Sequence, residues 1–109
     1  MSWALPEELR QLAECGDPGL VDEILSVFRT DTARRLGVMR AALDGGQRMS
    51  LRSEAHAIKG SAGQVGASSL ASMCQRLEAT ALTAPVGDLA NLLGEIETAF
   101  TQICQQMPQ

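Results

Sequence analysis

The sequence predicts an all-α protein, folded as an antiparallel up-down-up-down four-helix bundle with a short extra helix at its N-terminal end. First, apolar residues recur at steps of three and four along most of the chain, which is the spacing of a helical face. Second, 45% of the residues are hydrophobic but only 3% are aromatic, which favours helices around an aliphatic core over strands. Third, the breaks between the periodic stretches are short, which favours antiparallel neighbours.

The bulk properties set the domain count and exclude several classes of function. A chain of 109 residues is expected to form a single domain over 1–109, with one core. The formal net charge of −4 argues against a nucleic-acid or anionic membrane surface and suits a protein partner. The chain has no apolar run of the ~18 residues that a membrane span needs and no signal-like N-terminus, so we expect a cytoplasmic protein. We also expect a monomer.

The three cysteines are predicted to be small buried hydrophobic residues of a reducing compartment. Their odd number and the lack of Cys-x-x-Cys spacing argue against a disulfide framework. Without a second histidine they do not suggest a zinc site either. The three are Cys15, Cys74 and Cys104.

The first two helices have clear start signals. Residues 1–5 are predicted to be a loose lead-in. The first helix is predicted to open at Pro6, with acids in its first turn, and to end at Gly16. Asp17-Pro18 combines an N-cap acid with a proline at the first helical position, and it opens a long helix predicted over 18–44. The apolar stripe of this helix consists of Val21, Leu25, Phe28, Thr32, Leu36, Met39 and Leu43.

Three more helices complete the bundle. The third is predicted over about 49–64 and carries the only histidine. The fourth is capped by Ser68 or Ser69 and runs to about residue 82, where a Thr-Ala-Pro sequence breaks the chain. The fifth is predicted over about 86–106, with an apolar face wide enough for a bundle helix.

The third helix separates an apolar face from an unusual polar one. At about 100° per residue, Lys59, Gly60 and Gly63 share a stripe with the histidine, His56. Glycine inside a helix costs about 1 kcal/mol relative to alanine, so two of them here indicate that something bulky must reach the ring. Lys59 supplies a positive charge suited to an anion at that ring. The opposite face consists of Leu51, Ala55, Ile58, Ala62 and Val65.

The run His56-Ala57-Ile58-Lys59-Gly60-Ser61-Ala62, followed by Gly66-Ala67, resembles the phosphorylation motif of histidine phosphotransfer (Hpt) domains. The resemblance covers roughly residues 17–105, and it departs from the family only in details: Ile58 replaces a common leucine, and Gly63 is smaller than usual. It implies a four-helix phosphorelay carrier. In such a carrier, Nε2 of His56 accepts a phosphoryl group from a receiver-domain phospho-aspartate, for example that of a hybrid sensor kinase. The group then passes reversibly to the aspartate of a response regulator.

An antiparallel hairpin through the turn at Gly66 would place positions near 75–78 opposite His56. Gln75 and Glu78 both lie off the apolar stripe of the fourth helix, so either could reach the imidazole. A carboxylate that accepts the Nδ1 hydrogen would leave Nε2 unprotonated for attack on phosphorus, which favours Glu78. The resemblance agrees, because Hpt domains carry a polar orienting residue twenty-two positions after the histidine. Gln75 is then a surface neighbour that can donate to phosphoryl oxygens.

The expected role is that of a phosphocarrier and not of an enzyme. The chain has no Ser/His/Asp set and no Gly-rich nucleotide loop, so we expect neither kinase activity nor an ATP site. No cofactor of its own is expected, because a metal would need a second histidine or cysteine ligand. The resemblance implies that the partner receiver domain supplies Mg²⁺. Small residues around the stripe are expected to form the docking patch: Ala57, Ser61, Gln64 and Ala67.

A second interpretation belongs to another class of protein. In it the chain is a non-phosphorylated helical adaptor that binds a partner through the face formed by His56, Lys59 and Gly60. Loss of partner binding in Lys59 or Gly60 variants, without any acid-labile phosphate, would favour this adaptor. A phosphohistidine domain of a larger kinase is a third interpretation, although Met1 and the complete bundle favour a free-standing carrier.

Overall fold

The computed structural model describes residues 3–108, and their regular structure is entirely helical. Helices α2 to α5 pack in a ring in which each contacts the next and α5 returns to α2, while α1 packs against α2. The predicted fold class is confirmed. Residues 1 and 2 of the predicted lead-in lie outside the described residues. The helices are α1 (Glu7–Cys15), α2 (Pro18–Asp44), α3 (Arg48–Gln64), α4 (Ser68–Thr80) and α5 (Val86–Gln106).

Local capping explains where α1 ends and α2 begins. The Gly16 N–H closes α1 on the Leu12 carbonyl at 3.1 Å. Asp17 has extended backbone angles, and its carboxylate accepts from the backbone N–H groups of Gly19 and Leu20 at 3.0 and 3.3 Å. Two of the donors at the start of α2 are therefore satisfied by the N-cap side chain, as the Asp-Pro pair predicts.

The turn between α3 and α4 is made by Gly66 and not by a serine cap. Gly66 has a φ of +76°, and the next residue, Ala67, donates its N–H to the Ala62 carbonyl at 2.8 Å. This backbone closure starts α4 at Ser68 with Ala67 as N-cap and no side-chain cap, so the prediction of a serine cap is wrong. A Cβ on Gly66 would also lie 2.6 Å from Pro6 Cγ. Both the positive φ and the lack of space therefore require glycine at this position.

Helix α4 ends at Thr80, two residues before the predicted end. The guanidinium of Arg48, at the start of α3, donates to the carbonyls of Ala81 and Ala84 at 3.0 and 2.6 Å. These bonds satisfy carbonyl groups of the turn that follows α4. The donor comes from another helix, so the sequence of α4 alone did not indicate this end.

The N-terminal segment is anchored, so the prediction of a loose lead-in is wrong for its described part. The Trp3 indole Nε1 donates to the Val65 carbonyl at 2.8 Å, and the Trp3 backbone N–H donates to Gln106 Oε1 at 2.6 Å. Trp3 and Leu5 also pack on the core. The segment thus ties the α3–α4 turn to the end of α5.

The core is aliphatic, as predicted, and it contains one polar side chain of note. Thr32 is 0% exposed, and within residues 3–108 its Oγ1 has no hydrogen-bond partner. Of the cysteines, only Cys74 is buried, and burial raises the pKa of its thiol to about 12. Cys15 is exposed and Cys104 half-buried, so the prediction of three buried cysteines is wrong for Cys15. No helix in the described part of the chain is both long and apolar enough to cross a membrane.

Candidate functional site

The α3–α4 hairpin brings together the residues that carry the site. The apolar face of α3 packs into the core, where Leu51, Ala55 and Ile58 are at most 1% exposed. The opposite face presents His56, whose side chain is 67% exposed. Antiparallel pairing around Gly66 sets Glu78 of α4 opposite this histidine.

One carboxylate contacts both the histidine and the lysine. Oε1 of Glu78 lies 2.7 Å from His56 Nδ1, and Oε2 accepts from Lys59 Nζ at 2.7 Å. A carboxylate only accepts hydrogen bonds, so this contact places a proton on Nδ1. In the neutral imidazole the lone pair then resides on Nε2, which makes no hydrogen bond to any described residue. In that neutral form, the geometry presents an unprotonated Nε2 on an exposed ring.

The charge of Glu78 is stabilised by its two partners. The hydrogen bond from Lys59, followed by that from His56, holds the pKa of the Glu78 carboxyl below its usual value of 4.5. The carboxyl is therefore ionised at neutral pH. The Glu78 side chain is 19% exposed and the Lys59 side chain is 32% exposed. Both are therefore more buried than the His56 side chain that they support.

Two glycines leave the backbone bare beside the ring. Gly60 and Gly63 are exposed within α3, and a Cβ built on either would meet no atom within 4 Å. Packing inside the molecule therefore does not explain the lack of a side chain at these positions. The open space is available to a partner that approaches His56.

The other predicted residues are divided between the site and the core. Gln75 is exposed and lines a depression of about 440 Å³ together with Lys59 and Glu78, but it makes no hydrogen bond to His56. In the expected docking patch, Gln64 is exposed, and two others, Ala57 and Ser61, are half-buried. Ala67 is only 2% exposed, because the N-cap of α4 is packed into the core, so its assignment to the patch is wrong.

Two features near His56 were not predicted from the sequence. Arg52, four residues before the histidine and thus on the same stripe, is exposed and lines the same depression as Gln75. On the other side, α2 and α3 form an apolar groove of about 320 Å³. The spacing of Leu20, Ile24 and Val27 could have indicated this groove, because it repeats a second apolar row along α2. The groove is lined by Leu20, Glu23, Ile24, Val27, Phe28, Asp31, Ser61, Gln64 and Val65.

An ion-pair network fixes the relative position of α2 and α3 next to the site. The Arg35 guanidinium donates to Asp31 of its own helix and to Glu54 of α3, each at 2.9 Å. Hydrogen bonds from Arg34 and Arg35 lower the pKa of the Asp31 carboxyl. Glu54 is therefore bound to Arg35, and Glu78 is the carboxylate that contacts His56.

The fold and this site define a class of protein. The family model for the Hpt domain matches residues 23–107, and the chain belongs to this family. Hpt domains are phosphocarriers of two-component phosphorelays, in which they work with receiver domains and kinases. The crystal structure of histidine-containing phosphotransfer protein B (HptB) from Pseudomonas aeruginosa PAO1 is similar, with a TM-score of 0.77 and 31% sequence identity over 89% of this chain and 84% of that one. No curated protein matches the chain.

Proposed function

We propose that this Hpt domain carries the phosphoryl group on Nε2 of His56. It would accept the group from a receiver-domain phospho-aspartate, for example in a hybrid sensor kinase, and pass it reversibly to the aspartate of a response regulator. The observation that carries the proposal is the contact of Glu78 with Nδ1 at 2.7 Å on a ring that is 67% exposed. HptB, a histidine-containing phosphotransfer protein, supports the same assignment.

The proposed step needs no base to remove a proton. The lone pair of Nε2 attacks phosphorus, the N–P bond forms, and the bond between phosphorus and the aspartate oxygen breaks. The aspartate leaves as a carboxylate and the ring becomes positively charged, with its proton retained on Nδ1. Glu78 accepts that proton's hydrogen bond and stabilises the positive ring. Lys59 uses one of its three donors on Glu78, so the others are free to reach phosphoryl oxygens.

Most of the remaining chemistry is assigned to the partner. We expect Mg²⁺ in the receiver domain to stabilise the charge of the transferring group, and no cofactor in this chain. Gly60 and Gly63 would admit the receiver's active-site loops, and Gln75 would donate to phosphoryl oxygens. The docking patch would continue from Ser61 and Gln64 into the α2–α3 groove. We expect a cytoplasmic monomer without an ATP site.

The test is phosphate transfer to the purified protein. Incubation with a receiver domain phosphorylated on its aspartate should move radioactive phosphate onto the wild type in an acid-labile, alkali-stable form. The variant His56→Gln should lose this transfer while its circular dichroism stays helical, since the side chain is largely exposed. A Gln variant that still accepts phosphate contradicts the assignment. A wild type that binds receivers but takes no phosphate from donors active on another carrier favours the adaptor.

A further inference from the structure

Arg52 is a cation near the site that has no hydrogen bond or ion pair to any of the residues 3–108. Six of the eight arginines donate to a carboxylate or a carbonyl within residues 3–108, whereas Arg52 and Arg76 do not. Arg52 is exposed and lies on α3 one turn before His56. An exposed arginine without a partner at this position is available to a second molecule.

The depression beside Arg52 carries excess positive charge. It is lined by Arg52 and Lys59, and Glu78 is the one carboxylate among the described residues that line it. Both oxygens of Glu78 are already engaged, by His56 and by Lys59, each at 2.7 Å. Arg52 therefore adds an unbalanced positive charge on a chain whose formal net charge is −4. Such a spot attracts and orients an acidic partner surface.

We propose that Arg52 binds a carboxylate at the rim of the receiver's docking surface, outside its Mg²⁺ site, and so sets the speed and orientation of docking. This inference rests on the proposed function. Arg52 lies on the α4 side of His56, whereas the apolar groove lies on the α2 side. A receiver would thus be held by apolar contact on one side of the ring and by an ion pair on the other. Arg52 is a positioning residue and does not contact the transferring group.

The test compares Arg52→Ala with Arg76→Ala, a matched control. Arg76 is also exposed and unpaired within the described residues, but it lines a different depression with Asp88 and Glu95, on the α5 side. The probe is a purified phosphorylated receiver domain that transfers to the wild type. At low ionic strength Arg52→Ala should lower the second-order rate constant of transfer about two- to tenfold, because a rim charge acts mainly on association. The maximal rate at saturation should be unchanged.

Two further measurements distinguish an electrostatic role of Arg52 from a structural one: the dependence of the transfer rate on salt, and the effect of reversing the charge. The difference between wild type and Arg52→Ala should shrink as salt is added, since exposed charges are screened. Arg52→Lys should retain most of the rate, and Arg52→Glu should be rescued by replacing an acidic residue at the rim of the receiver's docking surface, outside its Mg²⁺ site, with lysine.

Three results would overturn the inference while leaving the proposed function intact. They are an unchanged rate in Arg52→Ala, an equal loss in Arg76→Ala, and a loss confined to the maximal rate. Failure of the wild type itself to accept phosphate would overturn the proposed function and this inference with it.

Discussion

Gly60 and Gly63 offer a perturbation in which stability and function should move in opposite directions. A Cβ at either position meets no atom within 4 Å, so Gly→Ala adds no clash inside the molecule. Alanine is better than glycine inside a helix by about 0.8–1.0 kcal/mol. The double variant should therefore be more stable by about 1–2 kcal/mol. For a domain of about this size, each kcal/mol raises Tm by roughly 4–8 °C.

Transfer from a phosphorylated receiver should fall in the same variant. If the partner packs closely on the bare backbone, the added methyl groups overpack that contact, at a cost of about 1–3 kcal/mol. This corresponds to a loss of roughly five- to 150-fold in the efficiency of transfer. The assays are thermal unfolding by circular dichroism and the rate of phosphate transfer, measured on the same preparations.

Gly37→Ala is the matched control for this pair. Gly37 is an exposed helical glycine whose Cβ would also meet nothing within 4 Å. It lies three residues before Arg40, which pairs with Glu97 of α5, and thus away from His56. This control should gain stability and keep its transfer rate. A stabilised Gly60→Ala/Gly63→Ala variant that transfers as fast as the wild type would refute a role for the bare backbone in docking.

Three further outcomes follow from the contacts described. The lowered pKa of Glu78 means that its ionised form stabilises the fold above about pH 4.5, and that this contribution is lost as pH falls through the folded-state value. In urea titrations across this acid range, Glu78→Gln should therefore lose less stability than the wild type; equal acid sensitivity would contradict the shared-carboxylate geometry. Thr32→Val replaces a buried, unpaired hydroxyl with a methyl group of similar size and should raise the free energy of unfolding by about 1 kcal/mol or more, measured by urea; a decrease would mean that the hydroxyl is satisfied. Val27→Asp, at a position that is 62% exposed, should leave Tm nearly unchanged but slow transfer several-fold, and a normal rate would remove the α2–α3 groove from the docking surface.

The regular spacing of apolar residues was enough to predict the helices and the faces that they bury. The period of apolar residues indicated α2 and α5 with the bounds that the structure has, and it separated the two faces of α3. Counting residues away from the turn placed positions 75–78 opposite His56, because helix rise and antiparallel pairing determine that register. The chemistry of a carboxylate on Nδ1 and the family resemblance then favoured Glu78 over Gln75. The role of Glu78 in orienting the ring stays a prediction.

The rest depended on contacts between residues that are distant in the sequence. Arg48 of α3 binds two carbonyls of the turn after α4, and Trp3 binds the carbonyl of Val65. The end of α4 and the anchoring of the N-terminal segment therefore could not be predicted from local residues. The serine-cap prediction failed because a positive φ at Gly66 closes the turn through the backbone. Arg52 was overlooked for another reason: its spacing was visible, but its lack of a partner is a property of the folded chain.

The single carboxylate shared by His56 and Lys59 has a consequence for how the carrier changes state. Before transfer, the anion Glu78 contacts one cation, Lys59, and Nδ1 of the ring. If His56 carries the phosphoryl group as proposed, the ring turns positive and a second anion appears on Nε2. Lys59 can then turn towards the phosphoryl oxygens while Glu78 keeps its hydrogen bond to the positive ring, so each anionic group lies beside a cation in both states. The exchange requires rotation of one side chain, a motion of picoseconds to nanoseconds, and leaves the helices where they are.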